Sequence, residues 1–340
     1  MKTTNNDQRF ALGKTLTATL CLAIALLALP AYAVTNELVG SAESHSIEKF
    51  DSSGNWIKTF ASTGPYKSIG IAASPVTGDV FAATLTSTIL RYSKSGVPFG
   101  PGGSYWSTFS MTSLVGANGL EGLLFDSKGN LYVATNYGTS GYVVEIFKYS
   151  ASELLQETPV PTRSPIITTA GGGDQMAWDA DGNLCIASWY TPLTVLCYKP
   201  GTGALAFDYG SEIQAQSIQP TGLVFGPGNI LTVSSLFTGE VYVEAAARVG
   251  PMNLLATGTV QPAEVGFLAV DSAGNLYLPE WHNYGGRYGA SPPYYCTFYA
   301  CTDTDVSSDI VYKIDPGNGT LTNFISSHVW GPYQMIFVPF

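Results

Sequence analysis

A unit of about thirteen residues returns along this chain at nearly constant spacing, and that recurrence limits the possible folds more than any other feature. Gly122 to Ala134 (GLLFDSKGNLYVA) comes back as Gln175 to Ala187 (QMAWDADGNLCIA), as Gly222 to Val233 (GLVFGPGNILTV) and as Phe267 to Pro279 (FLAVDSAGNLYLP), with a looser copy from Gly70 to Ala83 (GIAASPVTGDVFAA). The turn glycines Gly78, Gly129, Gly182, Gly228 and Gly274 lie 51, 53, 46 and 46 residues apart. Such a unit cannot bury its two faces alone, so its copies must pack on one another.

Each copy has the chemistry of a hairpin. A short apolar strand leads into a D-x-x-G-N turn, where Gly supplies a positive backbone angle and Asp or Asn bonds the backbone, and a second apolar strand leaves it. A third strand follows, seen as Ile47 to Asp51, Ile89 to Ser93, Ile146 to Ser150 and Val311 to Asp315. A fourth is read at Asn55 to Phe60, Ser104 to Phe109, Ala204 to Tyr209, Asn253 to Gly258 and Thr320 to Ile325. Four antiparallel strands per repeat, arranged radially, predict an all-β propeller. Tyr333 to Val338 reads as a first strand with no second, whereas Glu37 to Phe60 supplies second, third and fourth strands with no first. Pairing the two would complete the N-terminal blade and hide two sheet edges, which gives six blades. A seven-bladed ring with one degenerate blade is the competing architecture, with Ser150 to Gly173 and His282 to Ser308 as stretches able to hold its extra strands.

Composition agrees: charged residues are only 12% of the 340, against 37 Gly, 20 Pro and 20 Tyr, the profile of many short strands and tight turns. Residues 1–33 read as an export signal. Lys2, Arg9 and Lys14 form a basic start, Leu16 to Leu29 an apolar run, and Ala31-Tyr32-Ala33 a small-x-small cleavage site. The apolar run falls short of the roughly 20 residues of a bilayer span, so cleavage is expected over an uncleaved anchor, with no stable membrane insertion afterwards. The expected location is secreted or periplasmic, with residues 34–340 as one propeller domain. Removing three basic residues and one acidic residue leaves 12 Lys+Arg against 24 Asp+Glu, a formal charge of −12. That balance disfavours nucleic acid and leaves a small molecule, a glycan or a protein as the partner.

The D-x-x-G-N-L-Y-V-A turns resemble NHL repeats across the whole mature chain. The resemblance implies a six-bladed propeller of the group that also includes gluconolactonase and senescence-marker lactonases and peptide-amidating lyases. It leaves function open, because this fold hosts binding modules and enzymes alike.

Strand alternation places the loop into each first strand, and the loop between second and third strands, on one face. Aligning the copies puts Ile69, Glu121, Asp174, Thr221, Gly266 and Tyr333 at equivalent positions around the mouth of the central channel. Glu121 and Asp174 come from neighbouring blades. Two carboxylates at such a mouth either share a cation, with Ca²⁺ as the candidate cofactor and Asn118 or Gln175 as helpers, or one takes up a proton. The alternative is a pair of hydrated acids at a channel entrance. In the lactonases the resemblance implies a Glu, two Asn and an Asp around a metal; only Glu121 and Asp174 match by type here, which puts a lactonase site in doubt.

His45, His282 and His328 map to the same face. Three histidines are the ligand set of a catalytic zinc, but these cluster at the ring closure, unlike the spread triad that the resemblance to amidating lyases implies. Glu280, Trp281, His282, Trp330 and Tyr333 are candidate ligand-binding residues at the junction of the last and first blades, with Glu121, Asp174 and Gln175 completing the set. Trp189 reads as packing between blades. The stretch 283–308 is a long insertion in the last blade, which Cys296 and Cys301 would close with one disulfide, while Cys185 and Cys197 fall opposite each other around a hairpin and would form another. No nucleophile elbow, phosphate loop or zinc-protease motif occurs. The leading expectation is a binding module, and the runner-up a metal-dependent hydrolase or lyase.

Overall fold

The computed structural model describes residues 36–338 apart from 42–43, 100–107, 112–118, 136–142, 157–163, 237, 259–263, 282–308 and 330. The predicted disulfide Cys296–Cys301, and His282 and Trp330, lie outside the described residues.

The turn motif builds the hairpins as its chemistry requires. In the third blade Asp126 Oδ1 accepts the Lys128 and Asn130 amides at 3.0 and 2.9 Å, its Oδ2 accepts Asn130 Nδ2 at 2.6 Å, and Gly129 takes a φ of 81°. Asp179 and Asp271 repeat the pattern. Partial burial pushes the Asp126 and Asp271 carboxyls up, but the bonds from Asn130 and Asn275 outweigh it and hold both below the usual range.

Six four-stranded antiparallel blades form a ring. In chain order the second blade comprises β4 (Ser68–Ala73), β5 (Val80–Thr84), β6 (Thr88–Tyr92) and β7 (Thr108–Ser110). The third holds β8 (Leu120–Phe125), β9 (Leu131–Thr135), β10 (Val143–Tyr149) and β11 (Ile167–Ala170), with the one-turn α1 (Ala151–Leu154) between the last two. The fourth holds β12 (Gly173–Trp178), β13 (Leu184–Ser188), β14 (Thr194–Lys199) and β15 (Ala204–Asp208), and α2 (Gly210–Gln214) leads out of it. The fifth is β16 (Pro220–Gly226), β17 (Ile230–Ser235), β18 (Glu240–Ala246) and β19 (Val249–Thr257).

In the sixth blade the inner strand is split into β20 (Glu264–Val265) and β21 (Ala269–Val270), ahead of β22 (Leu276–Trp281), β23 (Ile310–Ile314) and β24 (Leu321–Ile325). The split has a local cause. The Phe267 amide donates to the Tyr333 carbonyl of the next blade at 2.7 Å instead of joining its own ladder. The first blade mixes the two ends of the chain: β25 (Pro332–Val338) pairs with β1 (Asn36–Ser41), which continues into β2 (Ser46–Phe50) and β3 (Trp56–Ser62). β11 lies within the 150–173 stretch and completes the third blade, so among the described residues that stretch adds no further blade.

Apolar clusters fill the gaps between blades rather than one central core. Leu38, Ile47, Phe60, Ile71, Val80 and Leu90 pack the first blade on the second. Val39, Phe50, Tyr277, Val311 and Met335 pack it on the sixth. Alternation along each strand sends successive residues to opposite seams, so both faces of every blade must be apolar.

Candidate functional site

The inner strands set the geometry of the axis. They run so close together that side chains on them decide whether neighbouring blades can touch. An added Cβ on Gly122 would lie 2.5 Å from the Asp174 carbonyl oxygen, and one on Gly70 would collide with the Glu121 carbonyl. The equivalent positions in the first, fourth and sixth blades carry Gln334, Gln175 and Phe267. The two glutamines sit on opposite sides of the ring and do the same work: Gln334 Oε1 accepts the Ile71 amide at 2.6 Å and Gln175 Oε1 the Leu223 amide at 2.8 Å. Gln175 Nε2 also donates to the Leu268 carbonyl at 2.7 Å. Its amide is thereby spent on three-blade cross-bracing.

One residue earlier on each inner strand lies the ring read from the sequence as a channel mouth, and it divides into two halves. Ile69 and Tyr333 pack with Phe267 and Leu85, the Tyr333 ring meeting Phe267 edge-on at 5.1 Å. Opposite them Glu121, Asp174 and Thr221, from three consecutive blades, form a polar arc. Thr221 Oγ1 donates to Asp174 Oδ2 at 2.6 Å, Glu121 and Trp189 come within interaction reach of the Asp174 carboxyl, and Asp174 Oδ1 is buried without a hydrogen-bond partner. Glu121 is 2% exposed and Asp174 1%.

Burial above all, then the adjoining Asp174 charge and the bond between the two, push Glu121 well above the usual carboxylate range. Burial raises Asp174 too, but the bonds it receives from Glu121, Thr221 and Trp189 oppose that rise. Glu121 therefore carries the proton that the pair shares. The Trp189 indole lies beside Gly172 and reaches the buried Asp174 carboxyl. No spacing in the sequence marks that contact.

A calcium ion takes about six to eight oxygens. The arc supplies two carboxylates and the Thr221 hydroxyl, and the hydroxyl points its proton at Asp174. Gln175 is committed elsewhere, Asn118 lies outside the described residues, and Ile69 and Gly266 offer no side-chain oxygen. These residues fit a shared proton better than a calcium ion.

The remaining candidates are spread over the sixth and first blades. Glu280 is the next-to-last residue of β22, wholly buried, with both carboxyl oxygens 3.1 Å from where a Cβ on Gly258 would stand. The aligned positions of the other second strands hold Ser41, Thr84, Thr135, Ser188 and Ser235, so Glu280 is the exception in that register. Trp281 closes the same strand, paired with Glu264. Of the histidines, His45 Nδ1 bonds the Gly64 carbonyl at 3.0 Å, and His328 stacks on Trp56 at 4.4 Å. Among the described residues the one group of three ligand types within metal-binding reach is Asp179, Cys185 and Cys197, and its two sulfurs are joined to each other in a disulfide.

This architecture defines a six-bladed β-propeller. No family model matches the sequence, and no curated protein matches it. Among solved structures, the chain is similar to one in a nidogen/laminin complex, with TM-score 0.61 and 15% identity over 89% of this chain and 98% of that one. A Bacteroides caccae protein of unknown function gives 0.57 and 12%, covering 90% and 99%. A catalytically inactive virginiamycin B lyase from Staphylococcus aureus, with quinupristin, gives 0.51 and 10%, covering 91% and 93%. At such identities the likeness establishes the fold and nothing finer.

Proposed function

We propose that this chain is an exported ligand- or protein-binding propeller that works through its loop face, around the junction of the sixth and first blades. The observation that carries the reading is the burial of the adjoining Glu121 and Asp174 carboxyls, with Asp174 accepting from Thr221. An acid that must meet substrate has to reach it; these two are closed off from solvent where three blades meet. Trp281 ends β22 at that junction, and we propose it, with His282 and Trp330 from outside the described residues, as the set that stacks on a sugar ring or a peptide; Tyr333 is buried against Phe267. The disulfide Cys185–Cys197 supports an oxidising compartment. Among the described residues no helix is long and apolar enough to cross a membrane.

The alternative is a metal-dependent hydrolase or lyase with Glu121 and Asp174 beside the ion, and it is favoured only by the juxtaposition of those carboxyls. Two measurements on the mature chain separate the readings. Calcium titration of the melting temperature should give no shift, since a ligand of the native state must raise its stability. Oligosaccharide and peptide arrays should give binding that survives Glu121→Gln and is lost in Trp281→Ala combined with Trp330→Ala. A calcium-induced rise abolished by Glu121→Gln would overturn the binding-module reading.

A further inference from the structure

Glu37 occupies a place that every other blade fills with an aliphatic side chain. It is the first core position of the second strand, facing Phe337 on β25 and Phe50 on β2. The register matches it with Val80, Leu131, Leu184, Leu231 and Leu276, all buried. Glu37 is buried too, at 2% exposure, and its Oε2 has no hydrogen-bond partner. Alternation puts it on the side of Val39, Phe50 and Met335, the seam between the first and sixth blades. Lys49 pairs with Leu38 and so stands on the other face of the blade.

The groups that face Glu37 make an anion there worse. Asp51, in the turn after β2, and Asp271, in the turn before β22, both add negative charge. Tyr277 on β22 spends its hydroxyl on Asp271 at 3.1 Å. The cation nearest that ring, Lys313 on β23, lies over the Tyr277 face at 5.7 Å. β25 contributes Phe337 and Met335, which carry no charge.

We propose that Glu37 makes the seam between β1, β25 and the sixth blade a proton-controlled latch, closed while Glu37 is a neutral acid and loosened when it becomes an anion. The position matters because β1 and β25 are far apart in sequence and held to each other by their ladder rather than by a connecting loop, so weakening the packing behind them loosens the pairing that closes the ring. Burial first, then Asp51 and Asp271, against a backbone hydrogen bond that lowers it, raise the Glu37 carboxyl from 4.5 to about 8. With the folded value raised, the stabilisation is complete below the unfolded value and is lost as the pH climbs through about 8. The inference does not depend on the proposed function.

Hydrogen exchange of the mature chain, read by mass spectrometry and corrected for intrinsic rates, tests it. Between about pH 6 and about pH 9, protection of peptides covering 36–41 and 332–338 should fall about tenfold or more, while peptides from the third and fourth blades keep theirs. Glu37→Gln should remove the fall, and so should Glu37→Leu, which installs the residue of the other blades. Unchanged protection of the two wild-type peptides would overturn the latch without any variant. An equal fall in the wild type and in either variant would overturn it as well.

Discussion

Cys185 and Cys197 face each other directly across β13 and β14, 3.9 Å apart at Cα and joined as a disulfide. The same register pair is Phe81 with Arg91 in the second blade, Tyr132 with Lys148 in the third and Tyr277 with Lys313 in the sixth. In each of those the cation lies over the ring, at 5.4, 5.3 and 5.7 Å. In four of the six blades this cross-strand position thus carries either a cation on an aromatic face or a covalent bond, and both tie the second strand to the third, whereas the first and fifth blades pair Leu38 with Lys49 and Thr232 with Val243. Exchanging both cysteines for alanine should cost about 3 kcal/mol, the value for a loop of this size, read as a lower denaturant midpoint. Because both sulfurs are buried, reductant alone should leave the native state oxidised until the fourth blade opens.

Arg91 is the most tightly held of these cations. It is buried, binds Asp79 through Nε at 3.1 Å and Nη2 at 2.5 Å, and donates from Nη1 to the Leu154 carbonyl of the third blade at 2.7 Å. Asp79 stands where the other turns hold Asn130, Asn183 and Asn275, so the acid and its cation form a matched substitution. Arg91→Met should destabilise by about 3–5 kcal/mol, because Asp79 is left charged and uncompensated. Arg91→Met with Asp79→Asn should recover much of that loss. A double-mutant cycle in urea measures the coupling; additive losses would show that the charge is not what matters.

The shared proton between Glu121 and Asp174 makes an asymmetric demand. Glutamine at 121 can donate to Asp174 as the protonated acid does, so Glu121→Gln should change stability by less than about 1 kcal/mol at neutral pH. Asp174→Ala strips the acceptor from Thr221, Trp189 and Glu121 together. It should cost about 1–3 kcal/mol for each donor left buried and unsatisfied. Denaturant melts of the two variants side by side give the comparison, and equal losses would reject the proton-sharing account.

Local chemistry was legible in the sequence, and contacts between blades were not. The Asp, Gly and Asn of each turn bond within five residues, so Asp126 to Asn130 announces its hairpin without reference to the rest of the chain. β11 carries no such turn, and Ile167 to Ala170 passes for loop. The ring positions followed from aligning the copies, which is why Glu121 and Asp174 were found together. Their depth was not, since it is set by how closely the inner strands approach. Gln175 illustrates the limit: beside Asp174 in sequence it reads as a further ligand, yet its amide is directed sideways to Leu223 and Leu268, which lie 48 and 93 residues away. Glu37 was missed because an acid at the start of a strand looks like an exposed residue until its register with Leu131 and Leu184 is known.

Inner-strand glycines give the most direct test of how tightly the ring is drawn. Gly122 has an ordinary extended backbone, so alanine would suffer no conformational strain there; the objection is steric. Its Cβ would stand 2.5 Å from the Asp174 carbonyl oxygen, 3.2 Å from Ala134 Cβ and 3.3 Å from Met176 Cε. Met176 can swing aside, but the carbonyl is part of β12 and cannot move without shifting the fourth blade. Overpacking of this kind costs about 1–3 kcal/mol and can exceed it when backbone must give way. Gly201, with nothing within 4 Å of an added Cβ, is the control, and Gly201→Ala should leave the melt unchanged or slightly improved. Because the third and fourth blades would be pushed apart at their inner strands, Gly122→Ala should also lengthen the contact between Glu121 and Asp174. Its destabilisation should then be partly shared with that of Asp174→Ala, giving a double variant less damaged than the sum of the two. Full additivity would mean that the strain is absorbed elsewhere and that the two inner strands are not the rigid contact their spacing describes.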